Sequence, residues 1–230
     1  MRTNWLYRMG KSMTLPASRT AWLLITALLP LTLLSGCVTG ETHPTLLETA
    51  IALKPGELQR DGMAFITPST VTGQEQDKQA LALIFADVVA KGRPGMHIVR
   101  LPETLGDINR AGLADDYRRM YDNYRDSGIF NRDTLQKIGR LTGTRYLMQI
   151  KLAGFSQDTR ERFSVLGIRV VQTLEANIRL FVQIWDSNDG TIAWEAVEEL
   201  NSAYDTVKEQ PVSFRAVVTD TARQLTLHLP

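Results

Sequence analysis

Cys37 is the only cysteine among 230 residues, so the chain forms no internal disulfide. Its three histidines, His43, His97 and His228, stand far apart. None has a cysteine or a second histidine at zinc-ligand spacing. His97 sits in a short apolar run and reads as a partly buried strand residue, not a base. The stretch Asp186-Ser187-Asn188-Asp189-Gly190 has the acidic, glycine-ended look of a calcium loop. It lacks the full spacing and the distant glutamate, so it reads as a β-turn. The acid pair Asp115-Asp116 lies among arginines and reads as a solvated, salt-bridged helix face. No G-x-S-x-G, Walker loop, G-x-G-x-x-G or H-E-x-x-H occurs. No catalytic residue, cofactor or metal site is therefore expected, and the chain reads as not an enzyme.

The position of Cys37 gives its thiol a different use. Residues 21–34 read AWLLITALLPLTLL, an uncharged run of 14 that contains Pro30. Spanning a bilayer takes roughly 20 apolar residues. A shorter run behind Arg2, Arg8, Lys11 and Arg19, ending in small residues, has the layout of an export signal. Its last residue opens Leu34-Ser35-Gly36-Cys37, which resembles the lipobox of bacterial lipoproteins. That resemblance implies cleavage before Cys37 and a diacylglycerol thioether on its sulfur. Each buried methylene of such chains contributes about 0.8 kcal/mol; one chain anchors reversibly and two anchor stably. Met1, Met9 and Met13 all remain candidate start residues. Val38 stands where an Asp would resemble an inner-membrane retention signal, so the resemblance implies the periplasmic side of an outer membrane, where the cell has one.

Charge separates the two parts. Four of the 26 basic residues and none of the 25 acidic ones lie in positions 1–36, which leaves residues 37–230 at net −3 with histidine neutral. Nothing in that balance calls for nucleic acid. The 194 residues after the signal suffice for one well-cored domain.

The elements follow from periodicity. Residues 1–36 read as the signal, 37–60 as the lipidated N-terminus and tether, and 61–230 as the folded domain. Within the tether, Leu46, Leu47, Ala50 and Ile51 suit a helical turn or two before Pro55-Gly56. Met63–Thr67 predicts a strand ended by Pro68, and 74–91 a helix with Leu81, Ile84, Phe85 and Val88 on one face. Met96–Leu101 predicts another strand. Residues 103–127 predict a helix with a Leu113, Tyr117, Met120, Tyr121, Tyr124 stripe and Asp115–Arg119 and Arg118–Asp122 pairs. The stripe reads as core, with protein docking as the rival reading. A further helix starts at Asn131 and closes on Gly143. Residues 146–152, 176–185 and 192–196 alternate as strands, the last two forming a hairpin about the 186–190 turn. Residues 213–228 predict a final helix. The fold class is mixed α/β: a single domain of order β-α-β-α-α-β-β-β-α, its mixed sheet covered by helices.

Two stretches in that order carry a wider likeness. They are Leu135-Gln-Lys-Ile-Gly-Arg-Leu-Thr-Gly-Thr-Arg-Tyr-Leu-Met148 and Ala176-Asn-Ile-Arg-Leu-Phe-Val-Gln-Ile-Trp-Asp-Ser-Asn-Asp-Gly-Thr-Ile-Ala-Trp194. Together they resemble a group of bacterial envelope proteins. The group holds the curli-secretion channel lipoprotein, the amino-terminal domain of the Tol translocation protein, and lipoprotein activators of peptidoglycan synthases. The resemblance implies a non-enzymatic interaction, assembly or activator module with other envelope proteins as partners. Two alternatives stay open: a subunit of a homo-oligomeric secretion channel, and a hydrolase with an unrecognised site. Against the channel, the candidate membrane hairpin 154–174 carries Asp158, Arg160, Glu161 and Arg162, and basic side chains facing lipid near mid-bilayer cost a few kcal/mol each.

Overall fold

The computed structural model describes residues 40–70, 75–165, 168–206 and 213–230. Leu34, Ser35, Gly36 and Cys37, with the whole signal, lie outside the described residues. In chain order the elements are β1 (Gly40–Ala50), α1 (Glu57–Asp61), β2 (Met63–Phe65), β3 (Ser69–Thr70), α2 (Glu75–Gly92), β4 (Ile98–Val99) and α3 (Leu101–Arg110). They continue with α4 (Ala114–Ser127), α5 (Arg132–Thr142), β5 (Tyr146–Val165), β6 (Ile168–Asp186), β7 (Ile192–Thr206) and α6 (Phe214–His228).

One mixed sheet runs β1-β7-β6-β5-β2-β4, the expected α/β class. Its short half is parallel: β2 pairs with β4 on one side and β5 on the other. Pro68 interrupts the ladder, and β3 resumes it beside β5. Its long half is antiparallel, from β5 through β6 and β7 to β1.

Alternation sorts the side chains to two cores. Met63, Phe65, Met148, Ile150, Val182, Ile184 and Trp194 face α2 and α6. Ala64, Ile66, Leu147 and Trp185 face α3, α4 and α5, where Ile108, Met120, Leu135 and Ile138 meet them. Fully burying one such large apolar side chain contributes about 1.5–3 kcal/mol. A β-bulge at Ala153 flips the parity of β5. Phe155 thereby shares the side of Leu152 and meets Phe214 of α6 edge-on at 5.1 Å.

Helix ends obey local chemistry. The Asn131 side chain accepts the Thr134 N–H at 3.0 Å to start α5, and Gly143, at φ 64°, ends it. Ser213 caps α6 by accepting the Ala216 N–H.

Several expectations need correction. The spacer expected over 37–60 is strand from Gly40: β1 adds antiparallel to β7, and Leu46, Leu47 and Ala50 belong to it, not to a helical turn. The alternation there is masked because β1 is an edge strand with Leu47 exposed. The single helix expected over 103–127 is two, α3 and α4, separated at Gly112, whose φ is 70°. β4 keeps only Ile98 and Val99 of the strand expected over 96–101. β5, β6 and β7 all run past the boundaries that alternation suggested, so 154–165 and 168–174 are paired strand. His97 is exposed, not partly buried.

Candidate functional site

At the amino-terminal end of the parallel strands the charges close on one another. Arg145, just before β5, donates from Nε and Nη2 to Asp186 Oδ2 at 2.9 and 2.6 Å, and from Nη1 to Asp61 Oδ2 at 3.3 Å. Its Nη1 also lies 3.9 Å from Glu57 Oε1. The other Asp186 oxygen accepts the Asn188 N–H at 2.9 Å. Glu57 Oε2 accepts from the Lys54 N–H and the Tyr146 hydroxyl, both at 3.0 Å. The Lys54 N–H, then the Tyr146 hydroxyl, hold the Glu57 carboxyl below its ordinary range; Arg60, then Arg145, do so for Asp61. Asp186 pushes the Arg145 guanidinium up, and burial followed by Glu57 pushes the Tyr146 phenol up.

The acidic turn therefore aims its first carboxylate inward at an arginine. Helix α5 packs so closely on that turn that a Cβ on Gly139 would overlap the Ser187 side chain. A shallow cleft of about 310 Å³ lies here, bordered by Gln136, Arg140, Thr144, Arg145 and Asn188. Among the described residues no three His, Cys, Asp or Glu side chains converge to hold a metal.

The carboxyl end is built differently. The chain leaves β2 for α2 on one face of the sheet and reaches β4 on one side of β2. It then passes through α3–α5 on the other face and enters β5 on the other side of β2. Connections that part to opposite faces leave a crevice beyond the strands' carboxyl ends, the usual ligand position in open α/β sheets. A cleft of about 520 Å³ opens at that place. Thr67, Pro68, Ser69 and Thr70 form its floor, and Lys78, Tyr121, Tyr124, Arg125, Gly128 and Lys151 surround it.

Its walls are fixed by the tyrosine stripe. The Tyr117 hydroxyl accepts the Thr67 N–H and donates to Thr67 Oγ1, both at 2.9 Å. The Tyr121 hydroxyl donates to the Thr67 carbonyl at 2.7 Å. Burial raises both phenols, so both stay protonated donors. Tyr124 stacks on Phe130 with centroids 4.1 Å apart and donates to Gln183 Oε1 at 3.1 Å. Gln183 in turn donates to Glu195 at 2.7 Å. Gln149, Gln183 and Glu195 stand opposite one another on β5, β6 and β7. This polar row marks where the α4 cover ends. The next residue outward on β5 on that face, Lys151, is exposed.

The other sequence candidates scatter. Asp115 pairs with Arg118 at 3.2 Å, Asp122 with Arg125 at 2.9 Å, and Asp116 with Arg119 and with Lys137 of α5. The helix pairs thus lie three apart, not four as expected. His43 belongs to β1, His97 precedes β4, and His228 of α6 approaches Glu48 of β1 at 3.2 Å. Sequence reasoning missed the cleft lined by Lys78, Arg125 and Lys151. Its one signal was the Thr67-Pro68-Ser69-Thr70 segment between a strand and a helix, which read only as a strand end.

No protein-family profile and no curated protein sequence matches the chain. Among solved structures, the backbone is similar to a PelC dodecamer subunit from Paraburkholderia phytofirmans, with 13% identity, TM-score 0.45, and coverage of 79% of this chain and 95% of that one. A second PelC dodecamer structure from that organism gives 12% identity, TM-score 0.43, and coverage of 81% and 94%. Lipoprotein GNA1162 from Neisseria meningitidis gives 11% identity, TM-score 0.34, and coverage of 72% and 97%. Likenesses at this level carry no functional argument.

Proposed function

We propose that the chain is a lipid-anchored envelope lipoprotein whose folded body is a non-enzymatic interaction, assembly or activator module. One observation carries this reading: Leu34, the last residue of the uncharged run of 14, opens the motif Leu34-Ser35-Gly36-Cys37. The sole thiol of the chain thus stands where a lipobox thiol stands. Acyl chains would fix the location, and the α/β body would supply the contacts. Among the described residues no helix is long and apolar enough to cross a membrane.

Metabolic labelling with an alkyne palmitate tests it. Label is expected on a chain shortened by the 36-residue signal, and a Cys37→Ser variant is expected to take none. An unlabelled wild-type chain would contradict the anchor. Crosslinking in intact cells is expected to recover another envelope protein with the labelled chain. Recovery of none would contradict the module.

The channel-subunit reading keeps one observation in its favour. The strands of the β5–β6 hairpin extend well past the residues that alternation marked, long enough for the 9–11 residues that a membrane β-strand needs. The charged residues 158–162 oppose it. Conductance in planar bilayers would support the channel, and a monomer without conductance would exclude it.

A further inference from the structure

We propose that the far end of the β5–β6 hairpin docks in the near leaflet of the bilayer that holds the acyl chains, with the strand residues beyond Arg162 as the docking surface. The proposal rests on acylation of Cys37, and its test separates the two.

β1 leaves the anchor little slack. It begins at Gly40, three residues after Cys37, so no long spacer intervenes. Three residues span at most about 10 Å in full extension. An acylated Cys37 therefore keeps the Gly40 end of the sheet within that distance of the lipid headgroups.

The register identifies what else lies at that end. Gly40 pairs with Tyr204 of β7, Tyr204 with Leu174 of β6, and Leu174 with Thr159 of β5. β1 runs away from the hairpin end, so the chain before Gly40 starts out toward it. Past the Gly40 level, β5 continues to Val165 and β6 to Ile168, six residues on each strand. At roughly 3.3 Å per residue that is about 20 Å along the ladder. The hairpin end thus outreaches Cys37 by about 10 Å. Interfacial elements sink their apolar parts to a similar depth, roughly 5–10 Å.

The residue types change at the matching level. Three residues past Gly40, the ladder stands at Phe163 opposite Val171. Short of that level, β5 carries Asp158, Arg160, Glu161 and Arg162. Past it come Phe163-Ser164-Val165 on β5 and Ile168-Arg169-Val170-Val171 on β6, where Arg169 is the one charge. A hairpin sunk to this depth keeps residues 158–162 among the headgroups, where charges stay hydrated, and takes the apolar stretch out of water. An arginine this near the interface can return its guanidinium to the headgroups. A hairpin that spanned the bilayer would instead carry residues 158–162 into hydrocarbon.

Depth-dependent fluorescence quenching tests the docking. The mature chain, with its Cys37 sulfur blocked by lipid, receives one new thiol by Val170→Cys, Arg160→Cys or Asn188→Cys. Asn188 is exposed at the opposite end of the sheet. Each thiol carries a nitrobenzoxadiazole dye, and the protein is placed in phosphatidylcholine nanodiscs. Val165→Cys repeats the reading on β5 should Val170→Cys not fold. The Val170→Cys dye is expected to emit to the blue of the Asn188→Cys dye, to resist iodide, and to be quenched by lipids with a doxyl group high on the acyl chain. The Arg160→Cys dye is expected to stay open to iodide. A Val170→Cys dye as open to iodide as that of Asn188→Cys overturns the proposal. So does one shielded from iodide but untouched by doxyl lipids, which would mean that a second copy or another protein covers the hairpin. Quenching of the Arg160→Cys dye by a doxyl group deep on the chain would show a spanning hairpin and overturn it too. Mass spectrometry of the same samples separates the failures. A Cys37 without lipid removes the anchor and the docking together; an acylated chain whose hairpin stays in water removes the docking alone.

Discussion

The two ends of the parallel strands carry similar numbers of charges and use them in opposite ways. At the amino-terminal end, Arg145 meets Asp186, Asp61 and Glu57, and each carboxylate has a second donor. At the carboxyl end, Lys78, Arg125 and Lys151 surround a cleft that no carboxylate lines among the described residues. The closed set locks α1 and the β6–β7 turn onto β5. In the open set Arg125 pairs with Asp122 of its own helix, and Lys151 has no partner among the described residues. In an open α/β sheet the loops part at one end only, so one end serves packing and the other binding.

Breaking the closed end should cost the most. Arg145→Met strands Asp186, whose side chain is 7% exposed, without its counter-ion. Because Arg145 is itself 34% exposed, the loss is expected at the low end for such pairs, about 3 kcal/mol in a denaturant titration. A loss below about 1 kcal/mol would show that the charges at this end are not holding it together.

A third charge belongs to neither end. Glu198 on β7 is fully buried beside Leu46 and Leu180, with neither carboxylate oxygen hydrogen-bonded. Burial pushes its pKa up to about 7. The native state then holds a proton that the unfolded chain has released, from the ordinary carboxylate range of about 4.3 upward. Raising pH through that window favours unfolding, and the loss levels off above about 7. Glu198→Gln is expected to flatten this slope and to stabilise the protein by about 2 kcal/mol above pH 7. Parallel pH profiles for the two proteins would remove this account of Glu198.

Smaller effects sharpen the open end. Tyr121→Phe removes one hydrogen bond to the cleft floor and should cost about 1 kcal/mol, read as a lowered unfolding midpoint. Lys151→Gln should change stability by less than about 0.5 kcal/mol. A larger destabilisation would mean that Lys151 has a structural role, and the contrast between the ends would fail.

Much of this arrangement is written in local patterns. Asn131, Gly143 and Ser213 mark helix ends, and the alternation of 146–152 and 176–185 marks buried strands. The tyrosine stripe reads correctly as core, since Tyr117, Tyr121 and Tyr124 pack against Phe130, Trp185 and the Thr67 loop. What stayed hidden depends on partners far away in sequence. β1 has weak alternation of its own and becomes a strand by pairing with β7, some 150 residues on. The Ala153 bulge shifts parity within β5, so counting alternate residues from Tyr146 loses the strand. The cleft residues 78, 125 and 151 come together only through the order β4-β2-β5. No spacing rule links them, whereas Leu34 to Cys37 form one contiguous motif beside its apolar run.

That motif bears the central claim, and mass spectrometry of the N-terminal peptide from membrane-extracted protein tests it most directly. The account predicts a chain beginning at Cys37, its mass raised by a diacylglycerol thioether with or without a third, amide-linked chain. A peptide beginning elsewhere, or Cys37 with an unmodified thiol, would contradict it.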